Sequence, residues 1–258
     1  MSPAMKTVTS ADGTSIGYER HGEGPSLILL HGGSGTRRHW DALRSHLTDD
    51  FTLSIPDRRG RGGSGDGDKY DLSREVADLR ALVEAVDGPT TVFGHSFGGL
   101  VALVAASEIS LDRLVLYEPA LLVGDHRGDD LASRMESRLN AGQRQDAMRL
   151  FLEEAGGIPD VEQLPWWPEE AGLSLAETVV RENYEVEAYE LPAEPDIDVP
   201  TLLLTGEYGP AHLRDAVFEL DERLSDSRVV EFDGVGHVAT QSEPELVADA
   251  VRTFVYGD

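Results

Sequence analysis

No cysteine occurs in the 258 residues, which excludes disulfide scaffolds, thiol nucleophiles and thiolate metal sites. Lysine is almost as scarce: Lys6 and Lys69 are the only two, and the other 20 basic residues are arginines. Basic charge as a whole is short, with 22 Lys and Arg against 48 Asp and Glu and a formal net charge of −26. A polyanion of that size is repelled by nucleic-acid backbones and anionic membrane surfaces, so neither is expected as a partner. Long apolar runs are missing too. The longest near the N-terminus is Leu27-Ile28-Leu29-Leu30, far short of a bilayer span, and residues 1–20 carry no apolar signal core. A soluble, cytoplasmic chain is the expectation.

What is present points to a packed globule. Hydrophobic residues make up 40% of the chain, enough for a core, and 258 residues suit one large domain or one domain with an insertion. The acid load with so little lysine is similar to that of proteins from salt-accumulating cells. Counter-ions there screen self-repulsion while carboxylates hold water, so a halophilic, salt-adapted protein is expected.

Short apolar runs at 7–10, 15–19, 27–30, 51–55, 90–93 and 113–117 read as strands. Several are apolar throughout, as strands covered on both faces are. Helix-like patterns lie between them at 38–47, 72–86 and 97–107. The second has Leu72, Val76, Leu79, Leu82, Val83 and Val86 at i, i+3/i+4 spacing, with Asp71 or Ser73 as its cap. Residues 124–198 hold no convincing strand, only helix-like stretches at 129–140, 143–154 and 173–189. This segment carries 6 basic and 19 acidic residues, half of the whole excess charge. Strands at 201–205 and 228–232 and helices at 211–224 and 244–255 then resume the alternation. The chain reads as an α/β sheet, mostly parallel and begun by an antiparallel hairpin, with one helical insertion.

Three loops carry candidate chemistry. Gly94-His95-Ser96-Phe97-Gly98-Gly99 follows an apolar strand and opens an apolar helix, the setting of a nucleophile elbow. The serine there sits on a strained turn, and the N–H groups at the helix start face a developing negative charge. His31-Gly32-Gly33-Ser34-Gly35 follows the strand at 27–30 and can supply another backbone N–H to an oxyanion; it meets neither dinucleotide nor Walker phosphate-loop spacing. His31 and His95 are read as structural. Gly234-Val235-Gly236-His237 offers a histidine suited to general-base work, downstream of the serine in the order Ser, acid, His.

Together these motifs resemble the α/β-hydrolase fold superfamily, in its lid-bearing, esterase-like serine-hydrolase branch. Residues 57–64, Asp-Arg-Arg-Gly-Arg-Gly-Gly-Ser, are similar to the family's structural D-x-x-G-x-G-x-S turn. The resemblance implies an eight-stranded, mostly parallel α/β-hydrolase sheet with helices on both faces. Residues 1–123 and 199–258 would form the core domain, and 124–198 a helical lid. It also implies Ser96 as nucleophile, His237 as base, and the N–H groups of Gly33 and Phe97 as the oxyanion hole. Ser34, Leu121, Leu122, Trp166 and Trp167 are candidate substrate contacts.

One position departs from the pattern. The family usually carries its triad acid in a G-x-x-D turn after the strand that follows the lid, and here that turn is Gly206-Glu207-Tyr208-Gly209. Glycine cannot orient an imidazole. Glu118, at the end of the strand before the lid, is the preferred acid, and Glu207 is the alternative. The expected reaction is cleavage of a small neutral carboxylic ester, with no metal or organic cofactor. A carbon–carbon bond hydrolase, thioesterase, amidase or perhydrolase on the same triad, or a non-catalytic ligand receptor, are the competing readings.

Overall fold

The computed structural model describes residues 4–164, 167–168 and 172–257. Its frame is one eight-stranded sheet: β1 (Lys6–Thr9), β2 (Ser15–His21), β3 (Ser26–Leu30), β4 (Thr52–Pro56), β5 (Thr90–His95), β6 (Arg113–Tyr117), β7 (Thr201–Gly206) and β8 (Ser227–Phe232). The spatial order is β1-β2-β4-β3-β5-β6-β7-β8; β2 is antiparallel to both neighbours and every other pair is parallel.

The continuous apolar runs of the central strands have a simple cause. Successive side chains point to opposite faces, and both faces are covered. From β3, Ile28 and Leu30 enter one core with α2 (Leu72–Glu84), α3 (Phe97–Ala106) and α7 (Ala211–Arg223). Leu27 and Leu29 enter the opposite core with α1 (Asp41–Leu47) and α9 (Pro244–Tyr256). The Asp71 side chain caps α2 by accepting from the Arg74 N–H at 3.1 Å. The stretch at 38–47 is divided: a 3-10 turn over Arg37–Trp40 precedes α1, and Trp40 is buried where they meet. A short helix, α8 (Ala239–Ser242), lies between β8 and α9.

Between β6 and β7 the chain forms α4 (Leu131–Asn140), α5 (Arg144–Glu154) and α6 (Ala176–Ala188). These helices share their own apolar cluster, with Met135, Met148, Val179 and Val180 at its centre. Their link to the sheet domain is both apolar, with Val186 and Tyr189 packed against the core that holds α2 and α3, and polar. Arg181 pairs with Asp66 at 2.8 Å, and Glu185 accepts from the Leu72 N–H at the start of α2 at 3.0 Å. Among the described residues, no helix is long and apolar enough to cross a membrane. The strand order reverses between β3 and β5, which opens a crevice at their carboxyl ends.

Candidate active site

β5 ends at the crevice, and Ser96 follows it with φ 53° and ψ −122° before α3 begins. That turn needs small neighbours. A Cβ on Gly98 would collide with the backbone of Leu30 and His31, and one on Gly94 with the backbone of Gly98. Ser96 is tied in place by its N–H to the Tyr117 carbonyl (3.1 Å) and by its carbonyl, which accepts from Ala120 N–H (3.0 Å). Only two non-glycine residues among those described have positive φ: Ser96 and Glu118, at 43°. Both flank this crevice, and strained backbone of this kind concentrates at functional sites.

Glu118 follows β6, and its N–H donates to the Leu204 carbonyl of β7 at 3.0 Å. The side chain is wholly buried, yet each oxygen is occupied. Oε1 accepts from the Thr205 hydroxyl (2.8 Å) and the Gly206 N–H (2.9 Å), while Oε2 accepts from His237 Nδ1 (2.7 Å). With Nδ1 as donor, the His237 Nε2 lone pair is free to take a proton. A Cβ on Gly209 would collide with Glu118 Oε1, so the glutamate carboxylate fills the space beside a residue that has no side chain of its own. Glu207 turns away, its Oε2 accepting from the Gly234 N–H at 2.9 Å. Ser96 Oγ has no hydrogen-bond partner among the described residues; such contacts are often long in unliganded enzymes and tighten with substrate.

Other histidines surround His237 and are held neutral. The His95 ring lies 4.4 Å from that of His237, and His39 lies 4.5 Å from His95. His95 Nε2 donates to the His237 carbonyl at 2.8 Å, which fixes the loop behind the imidazole. Burial, reinforced by the neighbouring His237 ring, pulls His39 down to about 3 and His95 well below the ordinary histidine range. Burial likewise lowers His31, whose Nδ1 donates to Gly32 O while Nε2 accepts from the Arg58 N–H.

A cavity of about 510 Å³ lies over this arrangement, with Gly33, Ser96 and Phe97 on the sheet side and Phe151, Glu182 and Val186 on the helical side. The N–H groups of Gly33 and Phe97 make no hydrogen bond among the described residues. Beneath Gly33 is a buried charge cluster. Arg58 bridges Glu75 (3.2 Å) and Glu182, and Arg61 donates to Glu182 and to the carbonyls of Gly33 and Gly35. Burial raises the Glu182 carboxyl above its usual range, against the pull of Arg58 and Arg61.

A model of the alpha/beta hydrolase family matches residues 27–250. The chain belongs to that family. It is 30% identical to lipase LipV of Mycobacterium tuberculosis, over 91% of this chain and 95% of the lipase. It is 23% identical to the 2-(acetamidomethylene)succinate hydrolase of Mesorhizobium japonicum, over 93% of this chain and 91% of that protein. The crystal structure of an alpha/beta hydrolase from Sphaerobacter thermophilus superposes with a TM-score of 0.82 at 32% identity, covering 95% of this chain and all of that one. The protein is therefore a hydrolase, and its eight-stranded sheet is the sheet of that family.

Not every expected contact of this hydrolase faces the cavity. Leu121 and Leu122 line it beside Gly33, Ser96 and Phe97. Ser34 is not among the lining residues, and Trp167 packs against the apolar cluster of α4–α6 instead. Trp166 lies outside the described residues. Glu182, Phe151 and Arg61 were not singled out from sequence. One signal for Glu182 exists there: it falls three residues after Val179 and four before Val186, a carboxylate on the apolar face of α6.

Proposed function

We propose that this hydrolase cleaves small neutral carboxylic esters by two-step acyl transfer through Ser96. Ser96 Oγ attacks the ester carbonyl carbon while His237 Nε2 accepts the hydroxyl proton, and Glu118 steadies the resulting imidazolium through Nδ1–H. The carbonyl oxygen takes the negative charge and is held by the N–H groups of Gly33 and Phe97. Collapse of the tetrahedral species breaks the ester C–O bond, and His237 protonates the departing alcohol. Water then attacks the acyl-enzyme as His237 removes its proton, releasing the carboxylic acid and restoring Ser96.

The observation that supports this reading most is the His237 Nδ1–Glu118 Oε2 hydrogen bond, made by a carboxylate on strained backbone beside the equally strained Ser96. In the same reading, residues 124–198 act as a lid over the acyl pocket. The pocket carries the carboxylates of Asp125, Asp129, Glu154, Glu182 and Glu187 with Arg127 as its arginine, a balance that disfavours anionic substrates. The names of the relatives, a lipase among them, are compatible with ester substrates at this level of identity. A burst assay with an activated ester, together with fluorophosphonate labelling, tests the mechanism. Labelling at Ser96 and a fall of about five decades in turnover for Ser96→Ala are expected. Full activity in Ser96→Ala would refute it.

A further inference from the structure

Glu182 is almost entirely buried and its two oxygens are treated very differently. Oε1 receives both guanidinium groups, Arg58 and Arg61. Oε2 is shielded from water and has no hydrogen-bond partner among the described residues. Native structures rarely leave a buried carboxylate oxygen empty, because the lost hydration is not replaced. Its position is telling: Oε2 lies 3.4 Å from where a Cβ on Gly33 would stand, and the tip of the Phe151 ring lies 3.0 Å from the same point. Gly33, Phe151 and Glu182 all line the cavity that holds Ser96. Oε2 therefore borders the same part of the cavity wall as Gly33, whose N–H is the proposed holder of the acyl oxygen.

We infer that Glu182 Oε2 is a specificity-determining acceptor for substrates with a hydrogen-bond donor on the carbon adjacent to the scissile carbonyl, 2-hydroxyacyl esters being the simplest class. The inference rests on the acyl-transfer reading above. With Oε1 clasped by two cations, Oε2 is the acceptor left beside the cavity, covered by its neighbours until a ligand displaces them, so a hydroxyl satisfies it and an ether oxygen at the same place repels it. Substrate binding completes a carboxylate that the free enzyme leaves half satisfied. Hydrogen bonds to charged groups in dry sites discriminate strongly against ligands that cannot make them.

The test uses three ligands of nearly equal size: ethyl 2-hydroxybutanoate, ethyl butanoate and ethyl 2-methoxybutanoate. Binding to the Ser96→Ala variant is read by titration calorimetry, so the outcome does not depend on turnover. The hydroxy ester is expected to bind at least about tenfold more tightly than the butanoate, with the methoxy ester weakest. Adding Glu182→Gln should remove the penalty on the methoxy ester, since the amide oxygen stays with the arginines and the amide N–H₂ turned to the ligand donates to an ether or a hydroxyl oxygen alike. Equal binding of hydroxy ester and butanoate, or methoxy binding as tight as hydroxy, overturns the inference. Should Glu182→Gln not fold, the three-ligand series on Ser96→Ala decides alone. Failure of the acyl-transfer reading looks different: the wild-type enzyme would then show no Ser96-dependent hydrolysis of ethyl butanoate.

Discussion

Glu118 and Glu182 are both buried carboxylates beside one cavity, but one belongs to the sheet and the other to the helical segment between β6 and β7. The sheet holds Glu118 with neutral donors on strand ends, the Thr205 hydroxyl and the Gly206 N–H, and leaves its second oxygen to His237. Every lone pair direction that matters is used, and no cation is needed. The helical side holds Glu182 with two arginines on one oxygen and, among the described residues, no partner on the other. On the proposed reading the difference separates two tasks. A fully hydrogen-bonded carboxylate on fixed backbone suits the steady orientation of an imidazole. A half-satisfied one beside the cavity suits recognition of something that arrives.

The sharpest way to break this contrast is to move the first carboxylate. Glu118→Ala should lower turnover of an activated ester by about four decades, as loss of a triad carboxylate does. Gly209→Asp in the wild-type background should also impair the enzyme, because the new side chain collides with Glu118. Combined, the two substitutions supply a carboxylate from the β7 end and should restore at least about a decade over Glu118→Ala. If the double variant is no better than Glu118→Ala, the space beside Gly209 is not equivalent to the place Glu118 fills.

Removing the second carboxylate should act on stability first. Glu182→Ala leaves Arg58 and Arg61 short of their shared buried partner, a change that costs about 3–5 kcal/mol. For a chain of this length that corresponds to a fall in Tm of about 10 °C, read by calorimetry. An unchanged Tm would mean that the two guanidiniums are satisfied without it.

The histidine shell predicts a milder, pH-dependent effect. His31, His39 and His95 are buried neutral, with His39 near 3, while the unfolded chain protonates each near its ordinary value of about 6.5. Below that pH the unfolded state binds the extra protons. The stability these rings contribute is therefore whole above about pH 6.5 and is lost as pH falls toward 3, by about 1.4 kcal/mol per unit for each histidine. Glu182, raised by burial, opposes one of the three. Thermal melts between pH 7 and 4 in molar salt, where the general repulsion of a −26 chain is screened, should show Tm falling with pH. A flat profile contradicts it. The same melts at neutral pH should show Tm rising from low to molar salt, and a protein most stable without salt would refute the proposed salt adaptation.

Much of the sheet was legible in the sequence, because strands covered on both faces must be apolar throughout and their ends are marked by glycine or proline. All eight strands lie within about two residues of the apolar runs. The helices of residues 124–198 were visible as patterns but begin later than expected, and the turn over Arg37–Trp40 looked continuous with α1. Ser96, Glu118 and His237 each follow a strand that ends at the crevice, so chain order and motif placed them on one edge. The Arg58–Arg61–Glu182 cluster was not legible, since residues 121 or more apart come together only through packing of α6 on the 57–64 turn. At Gly209 the sequence showed the missing acid and made Glu118 its preferred replacement, but not that the Glu118 carboxylate lies against the glycine itself.

In the proposed mechanism the carboxylate of Glu118, and not that of Glu207, orients His237. Turnover of an activated ester by Glu118→Gln and Glu207→Gln, each checked for folding, tests it most directly. Glu118→Gln should lose about four decades in kcat, as a neutral amide stabilises neither the tautomer nor the imidazolium. Glu207→Gln, whose side chain only braces the Gly234 turn, should stay within a fewfold of wild type. A collapse of kcat in Glu207→Gln alone, with Glu118→Gln near wild type, would assign the role to Glu207 instead.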